Sequence, residues 1–230
     1  MNLWIPAVLL TMILMLGCSS AEMTVQESTL KEMPACKLFE PPSSEKRTEE
    51  MTPREVVEQI AWGMRAKLQC NQDYYADNLD QLYDDTNEIL LPRFDRKYAA
   101  QLILARHWRT ASEAQRERFI NVFCPYLMQF YAGIMWESDL ESLEILPFRG
   151  DVTKKRVTVK TIMQLDDGSK WHINYGMVKR DSGWLMFDFR IEDISYVRSY
   201  REELRAEIEE KGLDGVLERL EAETSDGAAK

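Results

Sequence analysis

The chain has 230 residues, 45% hydrophobic and 30% charged, enough for one domain with a substantial core. Its formal net charge of −10 repels phosphate backbones and does not hold a protein to an anionic bilayer by bulk charge, so nucleic-acid binding is disfavoured. The two histidines, His107 and His172, stand in no HExxH or CxxC-type spacing, which leaves a metal site little to build on.

Residues 1–17 form an apolar stretch of signal-peptide length, too short for a membrane span of roughly 20 residues. It ends in MLGC, which resembles a bacterial lipobox, although Leu16 stands where that motif favours a small residue. Acylation of Cys18 is the expected processing; plain secretion and an uncleaved anchor are the alternatives. Each buried acyl CH₂ adds roughly 0.8 kcal/mol, so several chains hold a protein on a membrane. With Cys18 lipidated, Cys36, Cys70 and Cys124 remain, and an oxidising compartment permits one disulfide among three open pairings. Cys124 lies in an apolar helical run and reads as a buried thiol.

Residues 18–51 are rich in Ser, Glu, Pro and Thr and read as the attachment point and a flexible linker. Such a coil spans roughly 30 Å on average. The folded domain is expected over 52–223, with 224–230 as a disordered tail. Its first helix is announced by TPRE, a capping box with Pro53 at the first helical position, followed by an apolar stripe of Val57, Ile60, Ala61, Met64 and Leu68. A second helix is expected from Ala76 to Leu90. LPRFD breaks it, and Asp95 starts a short helix through Leu104. SEAQ at 112–115 caps a long helix with Phe119, Val122, Phe123, Tyr126, Leu127, Phe130 and Ile134 inward, kinked by Pro125.

The period then changes to alternation. Strands are expected over Leu143–Phe148, Arg156–Leu165, Trp171–Arg180 and from Gly183 to about Ile191, with a hairpin turn at DDGS. In the last strand Leu185, Phe187, Phe189 and Ile191 fall on one side and Trp184, Met186, Asp188 and Arg190 on the other. The first side is expected to pack on the helical core. Helix returns after Ser195, with Gly212 as a stop and a final helix over about Asp214–Glu221. The fold class that follows is α+β: a four-stranded antiparallel curved sheet packed against six or seven helices.

Nucleophile-elbow, phosphate-loop, dinucleotide and zinc signatures are missing from the chain. Asp188, in an apolar strand, reads either as a buried base or as a structural partner of Arg198, Arg201 or a helix end, and the structural role is the expectation. His172 is expected on the opposite sheet face and His107 on a polar surface. Arg93, Arg96, Lys97, Arg106, Arg109, Arg116 and Arg118 crowd into one stretch, fit either to hold phosphate or to pair with nearby carboxylates. Both sheet faces carry large apolar groups that need cover, and a cavity for an acyl chain is one way to supply it.

LPRFD, LARHWRTASEAQRERF, YLMQFYAGIM, GWLMFDFRIEDIS and KGLDGVLERL follow one another in the order of a known family. From about Pro53 to Leu220 the chain resembles the MlaC family, also called the toluene-tolerance auxiliary family. It departs in having Ala105 and Asp193 where that family usually has glycine. The resemblance implies a non-enzymatic phospholipid-binding carrier of the Gram-negative periplasm, with no cofactor besides the bound lipid. It implies an apolar pocket between helices and sheet that takes the tails, and lipid exchange between outer- and inner-membrane systems that maintains outer-membrane asymmetry. The implied partners are a Mla-type inner-membrane ABC transporter complex and an outer-membrane lipoprotein–porin complex, with the carrier itself monomeric. The expected lipid contacts are Phe94 near the mouth, Leu127, Tyr131 and Ile134 on the long helix, and Val159, Ile173, Tyr175 and Met177 on the sheet. Cys18 is the expected lipid attachment, and the linker then tethers the domain to the outer membrane. The alternative is a tethered lipoprotein interaction module without lipid cargo.

Overall fold

In the computed structural model, residues 47–137 and 140–227 are described. All belong to the second of two units into which the chain divides, Met1–Met33 and Pro34–Lys230. The expected leader, Cys18, Cys36 and the linker up to residue 46 lie outside the described residues.

Helix α1 spans Pro53–Cys70 and begins as its sequence dictates: Glu55 N–H donates to Thr52 Oγ1 at 3.2 Å, and Thr52 N–H to the Glu55 carboxylate at 2.7 Å. Met51, the last residue of the expected linker, already lies in the core. Two short steps follow, α2 (Gln72–Ala76) and α3 (Leu79–Leu90), in place of one helix from Ala76. A single 3-10 turn, Leu91–Arg93, contains Pro92 and leads into α4 (Arg96–Leu104). The LPRFD segment is fastened at its last residue. Asp95 caps α4 by accepting from Tyr98 N–H at 3.0 Å and pairs with Arg180 at 2.6 Å, and its own N–H donates to the Met186 carbonyl at 2.7 Å. After α5 (His107–Thr110), α6 (Glu113–Glu137) starts on a second capping box, Ser112 with Gln115, and runs through Pro125 as one helix.

Strands β1 (Leu140–Ile145), β2 (Arg156–Leu165), β3 (Lys170–Arg180), β4 (Gly183–Ile191) and β5 (Ile194–Ser195) form an antiparallel sheet in chain order. The sheet therefore has five strands, not four. The fifth is a two-residue edge strand made by a tight turn at Glu192 and Asp193, too short to leave a periodic signal. Helix α7 (Tyr196–Gly227) turns at Gly212, where φ is 73° and ψ 167°, a conformation natural to glycine. It continues to Gly227, four residues into the expected tail. Arg219 grips both oxygens of Glu207 across the turn, so the two limbs fold back on each other.

The expected glycine positions both have left-handed backbone: φ is 47° at Ala105 and 65° at Asp193. Asp tolerates this region, whereas Ala105 at ψ −109° sits where a side chain costs about 1–3 kcal/mol. Glycine removes that strain but loses about 0.5–1 kcal/mol to chain entropy. Ala105→Gly is expected to gain about 1 kcal/mol and to raise the melting midpoint by about 2–4 °C for a domain of this size. An unchanged or lowered midpoint in calorimetry contradicts it.

A polar knot ties the first three helices together. Tyr75 donates its hydroxyl to Asp85, which also accepts from Gln81 at 3.0 Å and pairs with Lys67 at 3.1 Å. Burial works against the Asp85 carboxylate, but the bonds from Tyr75, Gln81 and Lys67 outweigh it and hold its pKa below the usual value. A depressed carboxylate contributes stability above its unfolded pKa of about 3.9, and that contribution is lost as pH falls through the folded value. Asp85→Asn is expected to lower stability at neutral pH and to flatten the acid limb of stability against pH. Parallel acid limbs in wild type and variant contradict this.

Next to the knot, Cys70 is disulfide-bonded to a partner outside the described residues, and Cys124 is a free, buried thiol. Burial pushes the Cys124 pKa up to about 12, which keeps it protonated and inert.

Candidate functional site

The inner face of the sheet is a ladder of paired apolar residues. Val159, Tyr175 and Phe189 lie side by side on β2, β3 and β4, as do Thr161, Ile173 and Ile191, and Val157, Met177 and Met186. Strand β4 does not alternate as expected. Its register shifts opposite the Gly176–Met177 step, so Phe187 is an extra residue. This β-bulge divides the strand: Trp184 and Met186 share the inner side with Phe189 and Ile191, while Leu185 and Phe187 turn away from it. Phe187 packs on the Tyr98 ring at 5.2 Å, and its edge lies 3.2 Å from where a Gly176 Cβ would stand, so β3 carries a glycine there.

Helix α6 covers this face. Tyr131 meets the Phe189 ring edge-on at 5.6 Å, and Phe189 stacks on Tyr196 at 4.4 Å. The Tyr131 and Tyr175 hydroxyls lie near each other, with Thr161 near Tyr175, and burial raises the pKa of both phenols. Thr161 donates its own hydroxyl to the Ile173 carbonyl at 2.8 Å. Here a short polar string is enclosed in an otherwise apolar layer.

Leu127, Tyr131, Val159, Ile173, Tyr175 and Met177 thus come together in one buried cluster, none more than 6% exposed. The side chain of Ile134 lies outside the described residues. Phe94 is buried rather than at an opening. It bridges to Met186 at the edge of β4, because the LPRFD segment is pinned there. Six methionines, at 51, 64, 128, 163, 177 and 186, belong to the same core, and their unbranched chains repack at low cost.

A cavity of about 570 Å³ opens beside this layer, between α1, α3, the 3-10 turn and the start of β4. Ile60, Trp62, Ile89, Pro92 and Leu185 supply its apolar wall, and Gln59, Arg93, Glu49, Glu88 and Ser182 its polar part. Ile60 belongs to the main core and Ile89 packs on it, so the cavity floor is the core itself. None of the expected lipid contacts lines it. The missed signal is Trp62, a large apolar residue standing off the main α1 stripe.

The other expectations resolve on the surface and at a helix end. Asp188 is buried and accepts from Val197 N–H at 3.1 Å and Ser195 Oγ at 2.8 Å, with Arg190 at 3.5 Å. Ser195 in turn accepts from Arg198 N–H, so two side chains cap α7 in series. His172 is exposed beside Glu192. Within the cationic stretch, Arg118 pairs with Glu221 at 2.5 Å, Arg106 with Glu209, and Arg116 donates to the carbonyls of Trp108 and Arg109. Arg118 thus ties α6 to α7, Arg106 ties the turn before α5 to α7, and Arg116 holds α6 to α5. Among the described residues no three metal-ligating side chains gather, and no helix is long and apolar enough to cross a membrane.

Comparison with known proteins agrees with this architecture. A curated toluene tolerance protein, ttg2D of Pseudomonas putida, is 24% identical over 164 residues, covering 71% of this chain and 76% of that one. A crystal structure of a phospholipid-binding protein from Ralstonia solanacearum, in complex with a phospholipid, superposes with a TM-score of 0.70 at 21% identity, covering 78% of this chain and all of the other. The family described as MlaC protein matches residues 58–222. With the interior and its helical cover in that order, the chain belongs to the MlaC family.

Proposed function

We propose that this protein binds phospholipid, with the acyl tails held in the apolar layer between α1, α6 and the inner face of the sheet. It carries that lipid between the outer- and inner-membrane systems of a Gram-negative envelope. The observation that supports this most is the shared fold with a protein solved around a phospholipid, joined to a continuous, methionine-rich apolar layer in the corresponding kind of α+β frame. Leu127, Tyr131, Ile134, Val159, Ile173, Tyr175 and Met177 are the proposed tail contacts, with Phe94 at the β4 edge. Removing hydrocarbon from water returns roughly 25 cal/mol per Å² of apolar area, enough for tight binding without a catalytic group or metal. The tails enter by displacing side chains that close the layer, and the methionines are the ones that yield most easily.

Affinity gives no direction to transport, so release is assigned to partners that bind the open form: an inner-membrane ABC transporter complex and an outer-membrane lipoprotein–porin complex. The periplasm is the proposed compartment, with acylated Cys18 and the linker keeping the domain near one membrane. Organic extraction of the purified protein followed by mass spectrometry is expected to yield diacyl phospholipid at about one per chain. A closed interaction module is the second reading, favoured by the tight packing of Leu127, Tyr131, Val159, Ile173, Tyr175 and Met177. It predicts an extract empty of lipid, and that result overturns the carrier.

A further inference from the structure

The sheet separates charge along its strands. At the end where a turn joins β2 to β3, Asp166, Asp167, Glu192 and Asp193 are all exposed, with Lys170 among them. The opposite end holds the 146–155 loop, the start of β2 and the β3–β4 turn, and there cations gather: Arg149, Lys154, Lys155, Arg156 and Lys179 are all exposed. The carboxylates nearby are engaged elsewhere or too few. Asp151 accepts from Thr153 N–H at 2.9 Å and from the Thr153 hydroxyl at 2.6 Å, which shapes its own turn. Asp95 pairs with Arg180 at 2.6 Å, and Glu49, which lines a cavity with Ser182, faces Arg47 at 3.9 Å. Asp181 is the other exposed carboxylate of this end. Among the described residues none of the five cations pairs with a carboxylate; Arg156 donates to the Tyr98 hydroxyl at 3.3 Å, and the Lys179 ammonium lies 5.4 Å from the centre of the Trp184 ring.

Lys155 and Lys179 stand directly across the strand pair. Lys179 N–H donates to the Lys155 carbonyl at 2.9 Å, one rung beyond Arg156 and Val178. Like charges facing each other destabilise a sheet, and no carboxylate among the described residues offsets this pair. The rung continues the inner ladder of Val157, Met177 and Met186, so the two lysines stand at one end of the apolar layer. In the loop leading to them Val152 is 54% exposed, a bare apolar side chain within three residues of Lys154 and Lys155.

We propose that this end of the sheet is a docking face for an anionic lipid bilayer. Lysines suit that occupant: their ammonium groups are point charges on flexible stems and follow a diffuse, mobile layer of phosphates, whereas fixed carboxylates on a folded partner favour the rigid fork of arginine. Val152 adds an apolar contact in the headgroup region. The chain as a whole carries a net charge of −10, so an anionic surface repels its acidic parts and turns the cationic end inward. Once in contact, charges farther away than a Debye length of about 8 Å are screened, and the nearest cations dominate. Docking of this kind needs no lipid in the interior, so it goes beyond the carrier reading.

The test is co-sedimentation with vesicles of phosphatidylcholine alone or of equal parts phosphatidylcholine and phosphatidylglycerol. It uses the mature chain from residue 18 with Cys18→Ser, so that no acyl group contributes. Binding to the anionic vesicles is expected to be at least about thirtyfold tighter than to phosphatidylcholine, and to lose that preference in about 1 M salt. Lys155→Gln with Lys179→Gln is expected to weaken anionic binding about tenfold. Lys170→Gln with Arg198→Gln removes the same charge away from this end and is expected to change binding less than about twofold. Val152→Ser is expected to weaken it about threefold. Melting midpoints close to that of the parent chain show that these surface variants stay folded. Equal binding to both kinds of vesicle overturns the docking face. So does an equal loss in the two double variants, which assigns the attraction to net charge alone. Unchanged binding by Val152→Ser overturns the apolar contact. Vesicle binding together with an extract empty of lipid overturns the carrier reading and leaves the docking face standing.

Discussion

Asp188→Ala is expected to destabilise the protein by about 3–4 kcal/mol, since it leaves a buried Val197 N–H unpaired and removes charge-assisted bonds each worth about 1.5–3 kcal/mol. At about 2–4 °C per kcal/mol for a domain of this size, the melting midpoint falls by about 6–16 °C. The exposed Arg190 contributes little to this, because solvent screens it. Asp188→Asn keeps an acceptor for Val197 but not the charge, and is expected to lose about half as much. The consequence reaches the apolar layer under the sheet. The first two turns of α7 carry Tyr196, which stacks on Phe189, and Tyr200, which meets Phe123 edge-on at 5.1 Å. Loosening those turns uncovers the inner side of β4. A loss under about 1 kcal/mol in denaturant titration would show that Ser195 alone holds the helix end.

Leu127→Ala carries the second large effect, and its value lies in a difference between two forms. In delipidated protein the deletion empties a close-packed site and costs about 2–5 kcal/mol, depending on how far the neighbours collapse. Apolar cavities accept apolar occupants, so a tail lying against α6 fills part of the void. The penalty in the phospholipid-loaded protein is then expected to be smaller by about 1–2 kcal/mol, the cavity part of the cost. Melting both forms of wild type and variant measures it. Equal penalties in the two forms would mean that the tails do not reach Leu127.

The recurring sequence segments acquire physical reasons in the structure. LPRFD ends one helix, starts the next and bonds to β4, all within five residues. The Asp and Ser of GWLMFDFRIEDIS cap α7 in series. KGLDG supplies Gly212, whose positive φ turns the last helix back on itself.

Much of this was legible beforehand because it is local. The capping boxes at Thr52 and Ser112, the alternation of β2 and β3 and the stop at Gly212 depend on a few neighbouring residues and the backbone geometry they prefer. The structural duty of Asp188 at a helix end was legible too, though not that Val197 and Ser195 are the residues it holds. The faces of β4 were not, because a bulge is imposed by the partner strand and flips every side chain beyond it. Nor was the fifth strand, two residues long.

By itself, then, the sequence determined the longer helices, the four longer strands, their order and the apolar excess, since propensity and periodicity act over a turn or two of chain. Only the tertiary structure decided that Tyr131 faces Tyr175, that Phe94 is buried against β4, and that a cavity opens beside Trp62 and Arg93. A cavity is what remains when elements distant in sequence fail to fill a volume, and no single segment encodes that remainder.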